Sequence, residues 1–478
     1  MSDKKENPLT AILIGAGDRG TMTYGRYALK NRDKLKFIAV AEPIKMRRER
    51  FAKMHKISEK FCFNTWEDLL AKEKFADIAV ICTQDQMHTK PAITALEKGY
   101  DVLLEKPIAH NLKECVEIVK KVEDTGRILG VGHVLRYTEF FSKIHDVIKS
   151  GVLGDIVNIT HRENVSWYHM AHSFVRGNWR NVESSSPMIL AKCCHDLDLI
   201  YWMVGALPKK ISSIGNLFHF KEENAPKGAP KYCVEGCPIE NKCLYYAPRI
   251  YIDLELAWQI ANKGERRIYK WFMNWRKYRK KSLEFFAKLI PPLKRLRYWR
   301  DWPVDVLYED HPEDYSDEFK MELLKTSPYG RCVYKCDNDV VDHQMVLIEF
   351  ENGVTANLTM HGFSDEEGRT LRIDGTKATL TGKFNASGEQ ITIKDHFSGL
   401  SKIIYKQKLS LKNIGHGGGD MRLIDAFIKS VIERKEQPLT NAMNSLESHL
   451  MAFAAEESRL KNIVIDMEDF RKQALDLI

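Results

Sequence analysis

The 478-residue sequence is poor in cysteine, with ten in all, and no stretch of about 18 or more consecutive apolar residues interrupts it. The first shortage excludes a disulfide scaffold and fits free thiols in a reducing compartment, so a cytoplasmic location is expected. The second leaves no candidate for a membrane-spanning helix. The opening segment MSDKKENPLT is polar and lacks the apolar stretch of a secretory signal. A composition of 44% hydrophobic and 29% charged residues excludes a disordered or collagen-like chain and supplies ample core material. The length predicts two or three domains at about 150 residues each. Basic charge is confined rather than spread. The formal net charge is +8, yet residues 263–300 alone carry 14 Lys/Arg against two acids, Glu265 and Glu284. The remainder is mildly acidic, so a nucleic-acid partner is not expected of the chain as a whole.

What is present begins with an apolar run, Leu9 to Ile14, followed at once by Gly15-Ala16-Gly17-Asp18-Arg19-Gly20. This is G-x-G-x-x-G between a predicted strand and a predicted helix from Thr21. The glycines permit a tight turn and a close backbone approach to a pyrophosphate at the helix N-terminus. A second apolar strand, KFIAVAE, ends at Glu42. An acid there can accept hydrogen bonds from the ribose hydroxyls, which favours NAD over NADP. Arg47 and Arg48 soften that discrimination. Strands and helices then alternate: FADIAVICT (75–83), a helix from Pro91 to Gly99, YDVLLEKP (100–107), a helix ECVEIVKKVEDTG (114–126) and RILGVGHVL (127–135). Such alternation predicts a doubly wound parallel sheet, with ligands beyond the C-terminal strand ends. Thr83-Gln84, Glu105-Lys106-Pro107 and His133 to Arg136 occupy such ends.

The stretches GAGDRG (15–20), DIAVICTQDQMH (77–88), GYDVLLEKP (99–107), GHVLRY (132–137), SGVLGDIV (150–157), Asn178-Trp179-Arg180, HDLDLIYWMVG (195–205), FENGVTANLTM (350–360) and RTLRIDGTKATL (369–380) resemble the glucose-fructose oxidoreductase/inositol dehydrogenase/MocA family of nicotinamide-dependent sugar oxidoreductases. The similarity spans about 1–220 and 340–470. It implies an α/β Rossmann domain over 1–135 and an α+β domain over 136–478, whose open, mainly antiparallel sheet supports dimers or tetramers. It implies that Lys106 lies beside the nicotinamide and the reacting hydroxyl, with His195 as general acid/base. Thr83, Gln84, His88, Glu105, Arg136, Trp179 and Arg180 are expected to line or support the cofactor cleft. One departure stands out: Ala191 replaces an Asp that many members carry four residues before the histidine. Lys192 is then a candidate proton carrier, and two lysines near one hydroxyl would lower each other's pKa.

For substrate, NVSWYHMAHSFVRGNWR (164–180) offers Tyr168, His169, His172 and Arg176, suited to stacking on sugar rings and binding hydroxyls or a carboxylate. Packing against the inserted segment is the competing reading. His416 opens a second glycine-rich turn, HGGGD, where Asp420 could equally be a helix N-cap. A similar stretch occurs in the family's NAD-dependent glycosidases. Residues of about 218–340 are an insertion. Its Cys233, Cys237, Cys243, Cys332 and Cys336 could bind zinc or an iron-sulfur cluster, stay buried thiols, or form a disulfide. Its basic, aromatic stretch 268–299 reads as a helix ended by Pro291-Pro292, and could rest on an anionic membrane, meet a partner, or pack on the sheet. The expected function is NAD-dependent oxidation of a hydroxyl on a sugar, polyol or glycoside. The rivals are an NAD-dependent glycoside hydrolase and a non-catalytic NAD-binding sensor.

Overall fold

The computed structural model describes residues 7–263, 267–297, 302–308, 316–385, 388–408 and 417–478. Short apolar segments whose side chains are buried on both faces form the first sheet. Its strands are β1 (Leu9–Ile14), β2 (Leu35–Ala41), β3 (Cys62–Phe63), β4 (Ile78–Ile81), β5 (Asp101–Leu104) and β6 (Leu129–Val131). All pairs are parallel, in the order β3-β2-β1-β4-β5-β6. Sequential strands run outward in both directions from the β1–β4 junction. The loops there leave in opposite senses and open a crevice at the C-terminal strand ends. Helices Thr89–Glu97 and Leu112–Thr125 are among those covering the sheet. The latter starts on an Asn111 cap that accepts from the Glu114 N–H and stops at Gly126, φ +61°.

The second sheet has nine strands: β7 (Ile156–Ser166), β8 (Pro208–Asn216), β9 (His343–Phe350), β10 (Thr355–Ser364), β11 (Gly368–Gly375), β12 (Ala378–Asn385), β13 (Gly388–Asp395), β14 (Ser401–Lys408) and β15 (Ile465–Asp466). Their order is β14-β13-β12-β11-β7-β10-β9-β8-β15, and only the β7–β10 pair is parallel. Alternation along β9 and β10 buries Val346, Ile348, Leu358 and Met360 beneath a layer that includes helices Cys194–Val204 and Ala442–Lys461. The opposite face stays open and exposes Ile214, Met345 and Leu347. Predicted strands and helices of the first half all form, shifted by a few residues at their ends.

The segment expected to be an insertion lies between β8 and β9. Its basic stretch forms three helices rather than one, Arg267–Tyr278, Lys280–Leu289 and Pro291–Arg297. The two prolines therefore start a helix as well as ending one. Proline lacks the N–H that a first helical turn leaves unused, which makes it a good first residue. Among the described residues no helix is long and apolar enough to cross a membrane.

Candidate functional site

The glycine loop sits at the top of β1, and its three glycines do different work. Gly15 has φ +91°, and a Cβ on it would lie 2.7 Å from the Cys82 carbonyl oxygen. A Cβ on Gly20 would lie 2.2 Å from the Gly15 carbonyl oxygen, so that residue packs the following helix onto the strand. At Gly17 the nearest atom to such a Cβ is Arg47 Nη1, 3.9 Å away, which leaves the backbone open to a ligand. This is the division of labour that a dinucleotide pyrophosphate requires. Asp18 is exposed beside it. Glu42, just past β2, is buried. Its carboxylate accepts from the Ala16 N–H at 2.7 Å and the Ile44 N–H at 3.0 Å, which fixes an anion where the adenosine ribose would lie. Arg48 donates to the carbonyl oxygens of Glu42 and Pro43, leaving Arg47 as the arginine nearer the loop.

Below the loop, Glu105 Oε1 accepts from Arg19 Nε at 2.7 Å and from the Tyr24 hydroxyl at 2.8 Å. Arg19 also pairs with Asp420 at 2.9 Å, tying the first sheet to the helix Gly419–Glu433. Arg19 and Glu105 therefore brace the loop by pairing with each other. Gly418, φ +80°, occupies the cap of that helix, so Asp420 is an ion-pair partner and not the N-cap. His416 lies outside the described residues.

Lys106 follows β5 on a turn held from two sides. His88, fully buried, contacts the Pro107 carbonyl oxygen through Nδ1 at 2.7 Å and that of Thr83 through Nε2 at 3.2 Å. His449 Nε2 accepts from the Ile108 N–H at 2.9 Å. The expectation that His88 faces the cofactor gives way to this positioning role, because both ring nitrogens are taken by the backbone. The half-buried Lys106 reaches across and donates from Nζ to the Ala191 carbonyl oxygen at 2.8 Å. That carbonyl ends the short helix Met188–Ala191, where a cation is favoured. His195 opens the next helix, 6% exposed, with Nδ1 3.5 Å from His133 Nδ1. Thr83 and the exposed Gln84 rim the same crevice, and the Trp179 indole donates to Asp85 at 3.2 Å across it.

Lys192 reverses the expected direction. It pairs with Glu367 at 2.8 Å and Glu163 at 3.3 Å. Burial opposes its charge, but the two carboxylates outweigh that and raise its pKa, so it is a fixed cation rather than a neutral base. Glu367 also accepts from His169 Nδ1 at 2.9 Å and from the Ser166 N–H and hydroxyl, each at 2.8 Å. Burial, aided by Lys192 and Lys106, lowers the His169 pKa against the pull of Glu367. The ring is thus neutral, with its proton held on Nδ1 and Nε2 left as an acceptor. Trp302 of the insertion lies edge-on to His169, 5.4 Å between ring centres, and meets Tyr168 at 5.9 Å.

Beneath this pair, Arg369 binds Glu163 at 2.7 Å and Asp196 at 2.8 Å, and His161 donates to Asp196 at 2.7 Å. Burial pushes the Glu163 carboxyl up to about 7. Sequence reasoning places His133 at a strand end but misses Glu163, Glu367 and Arg369. One signal was available: His161 and Glu163 sit at the inward positions of β7, between buried Ile159 and Val165, and a charge there needs partners.

Four other expectations are corrected. Arg136 is 3% exposed and forks onto Asp198 at 2.7 and 2.6 Å, so its donors are spent inside the second half and not on a cofactor. Arg180 turns to Asp337 of the insertion at 2.9 Å. His172 is buried, contacts the Tyr251 hydroxyl at 2.7 Å and stacks on Tyr329; burial drives its pKa down to about 3. Arg176 is fully buried among the insertion cysteines, donating to the Arg331 and Tyr245 carbonyl oxygens, each at 2.7 Å. His172 and Arg176 thus anchor the insertion, the competing reading for that stretch. Cys233, Cys237, Cys243 and Cys332 line one small cavity beside Arg176, with Cys336 near it. All five thiols are free. Among the described residues no three His, Cys, Asp or Glu converge as metal ligands, so zinc and iron-sulfur binding find no support.

Two family models match in succession: the oxidoreductase family's NAD-binding Rossmann fold over residues 9–133 and its C-terminal alpha/beta domain over 145–246. The chain belongs to the Gfo/Idh/MocA oxidoreductase family. Among curated members, 2,7-anhydro-N-acetylneuraminate hydratase of Escherichia coli is 29% identical over 153 residues, 32% of this chain and 40% of that protein. D-glucoside 3-dehydrogenase of Escherichia coli is 26% identical over 161 residues, 33% and 43% respectively. The chain thus spans less than half the length of these relatives. A solved oxidoreductase from Agrobacterium radiobacter, in complex with NAD+, L-tartaric acid and magnesium, shares the fold: TM-score 0.62, 13% identity, 97% of this chain and 99% of that one. The Gfo/Idh/MocA glycine loop, the strand-end acid and the lysine turn all fit a bound nicotinamide dinucleotide in this chain.

Proposed function

We propose that the protein is an NAD-dependent oxidoreductase acting on a hydroxyl of a sugar, polyol or glycoside. The observation that carries this reading is the Lys106 ammonium, fixed at the end of β5 on the crevice that Gly17 opens. Bound there, a nicotinamide ring supplies the hydride acceptor. Lys106 holds the substrate oxygen and favours its alkoxide character as the carbon loses hydride. His195 and His169 are the groups that take the hydroxyl proton. His169 suits the task because Glu367 fixes its tautomer and burial, aided by the two lysines, lowers its pKa. Lys192 positions Glu367. Glu42 favours NAD over a 2′-phosphorylated dinucleotide, whose extra charge it would repel.

The test is a panel of sugars and glycosides followed at the NADH absorbance. Lys106→Met is expected to abolish turnover while calorimetry finds NAD affinity kept. Undiminished turnover in that variant overturns the assignment. The similarity to a hydratase supports a second reading, transient oxidation with the cofactor restored in each cycle. It predicts product without accumulating NADH and solvent deuterium at the carbon beside the oxidised one. The open sheet face bearing Ile214, Met345 and Leu347 fits a subunit contact. Light scattering that finds Leu347→Arg in the same state as the parent would remove that proposal.

A further inference from the structure

We infer that the helices Arg267–Tyr278 and Lys280–Leu289 form a peripheral docking surface for an anionic lipid bilayer. Both helices are anchored from one side. Met273, Leu283 and Ala287 are buried, and Arg276 donates to the Ile252 and Asp253 carbonyl oxygens at 2.8 and 3.2 Å. Their other side carries large apolar groups into solvent: Ile268 is 60% exposed, Trp271 57%, Phe285 61% and Leu289 67%. These are not scattered residues. Trp271 meets Trp275 at 5.1 Å between ring centres, Trp275 meets Phe286 at 5.8 Å, and Phe286 meets Phe285 at 5.4 Å. One aromatic ridge therefore crosses both helices. A ridge of this kind left in water marks an interaction site.

Charge identifies the occupant. Lys277 and Lys280 are compensated by Glu255 and Asp317. Arg267, Lys270, Arg279, Lys281, Lys288 and Lys294 are exposed and form no ion pair among the described residues. They flank the ridge. A protein partner would bury the ridge in a core depleted of lysine, and a second copy would bring two basic surfaces together. A bilayer accepts both features at once. Aromatic rings settle at the headgroup level, while lysine stems extend to anionic headgroups, and each basic group near the surface adds attraction. At 12 and 10 residues these helices lie on a membrane and do not cross it. They also fall outside both stretches matched by the family models.

The test is co-sedimentation of the full chain with phosphatidylcholine vesicles, with and without phosphatidylglycerol. The chain is expected to pellet with the phosphatidylglycerol vesicles only and to be released by salt. A variant with Trp271→Ser, Phe285→Ser and Leu289→Ser, and another with Lys270→Glu, Lys281→Glu and Lys288→Glu, should each lose about ten-fold or more in partitioning. Both should keep the parent melting temperature and NAD affinity, since none of these side chains is buried. Failure to pellet, equal binding to pure phosphatidylcholine, or unchanged binding by both variants overturns the inference. So does a dimer in light scattering that the serine variant dissolves, or tighter binding to duplex DNA than to the vesicles at equal salt.

Discussion

Gly17→Ala separates the fold from the cofactor, because Gly17 is the one motif glycine that the protein's own packing does not require. Gly17 is absent from the residues at positive φ, and a Cβ there would have no neighbour closer than 3.9 Å. Stability should therefore stay within about 1 kcal/mol of the parent, with a small gain from the stiffer unfolded chain. Binding should not survive as well. A methyl on the open backbone lifts the pyrophosphate from the N–H groups at the helix start. Each hydrogen bond to a charged group is worth about 1.5–3 kcal/mol, so losing one weakens NAD binding by about 10- to 150-fold. Gly15→Ala and Gly20→Ala make the contrast. Their Cβ atoms would strike carbonyl oxygens at 2.7 and 2.2 Å, and both variants should lose the fold along with the ligand. The assay is titration calorimetry of the unliganded protein with NAD, paired with a thermal melt. A folded Gly17→Ala protein that binds NAD like the parent would refute the placement of the dinucleotide on this loop.

Other consequences follow from the buried charges. Arg136→Leu leaves Asp198, buried and bidentate to the lost guanidinium, without its partner. Urea denaturation should find a loss of about 3–5 kcal/mol, and calorimetry on the protein that stays folded should find NAD affinity retained. Glu163→Gln acts with pH. Three carboxylates, Glu163, Glu367 and Asp196, face two fixed cations, Lys192 and Arg369, and Glu163 is the one driven up to about 7. An acid whose folded pKa lies above its unfolded value loses stability as pH rises from the ordinary carboxyl range to about 7. The melting temperature of Glu163→Gln relative to the parent should therefore improve as pH rises from 5 to about 7 and level off above it; a constant difference would refute the protonation assignment.

Much of the first half was written in local pattern. Strand-sized apolar runs between helix-sized amphipathic ones dictate a parallel sheet. The glycines, Glu42 and Lys106 fall at strand ends because the chain itself spaces them there. A turn glycine or a strand-end lysine announces itself through its immediate neighbours. The network around the candidate site could not be read that way. Lys192 and Glu367 are 175 residues apart, and Arg369 and Asp196 173. Only the pairing of β7 with β11 and the helix laid across them brings these groups together. That proximity sets Lys192 as a cation, while burial beneath the same elements lowers the pKa of His169. It also took Arg136, His172 and Arg176 out of the cleft, since a guanidinium or imidazole is claimed by whichever partner the packing brings first. Sequence determined where the backbone turns and which residues end the strands; the tertiary structure decided the charge each buried group carries, because protonation depends on partners that no local pattern names.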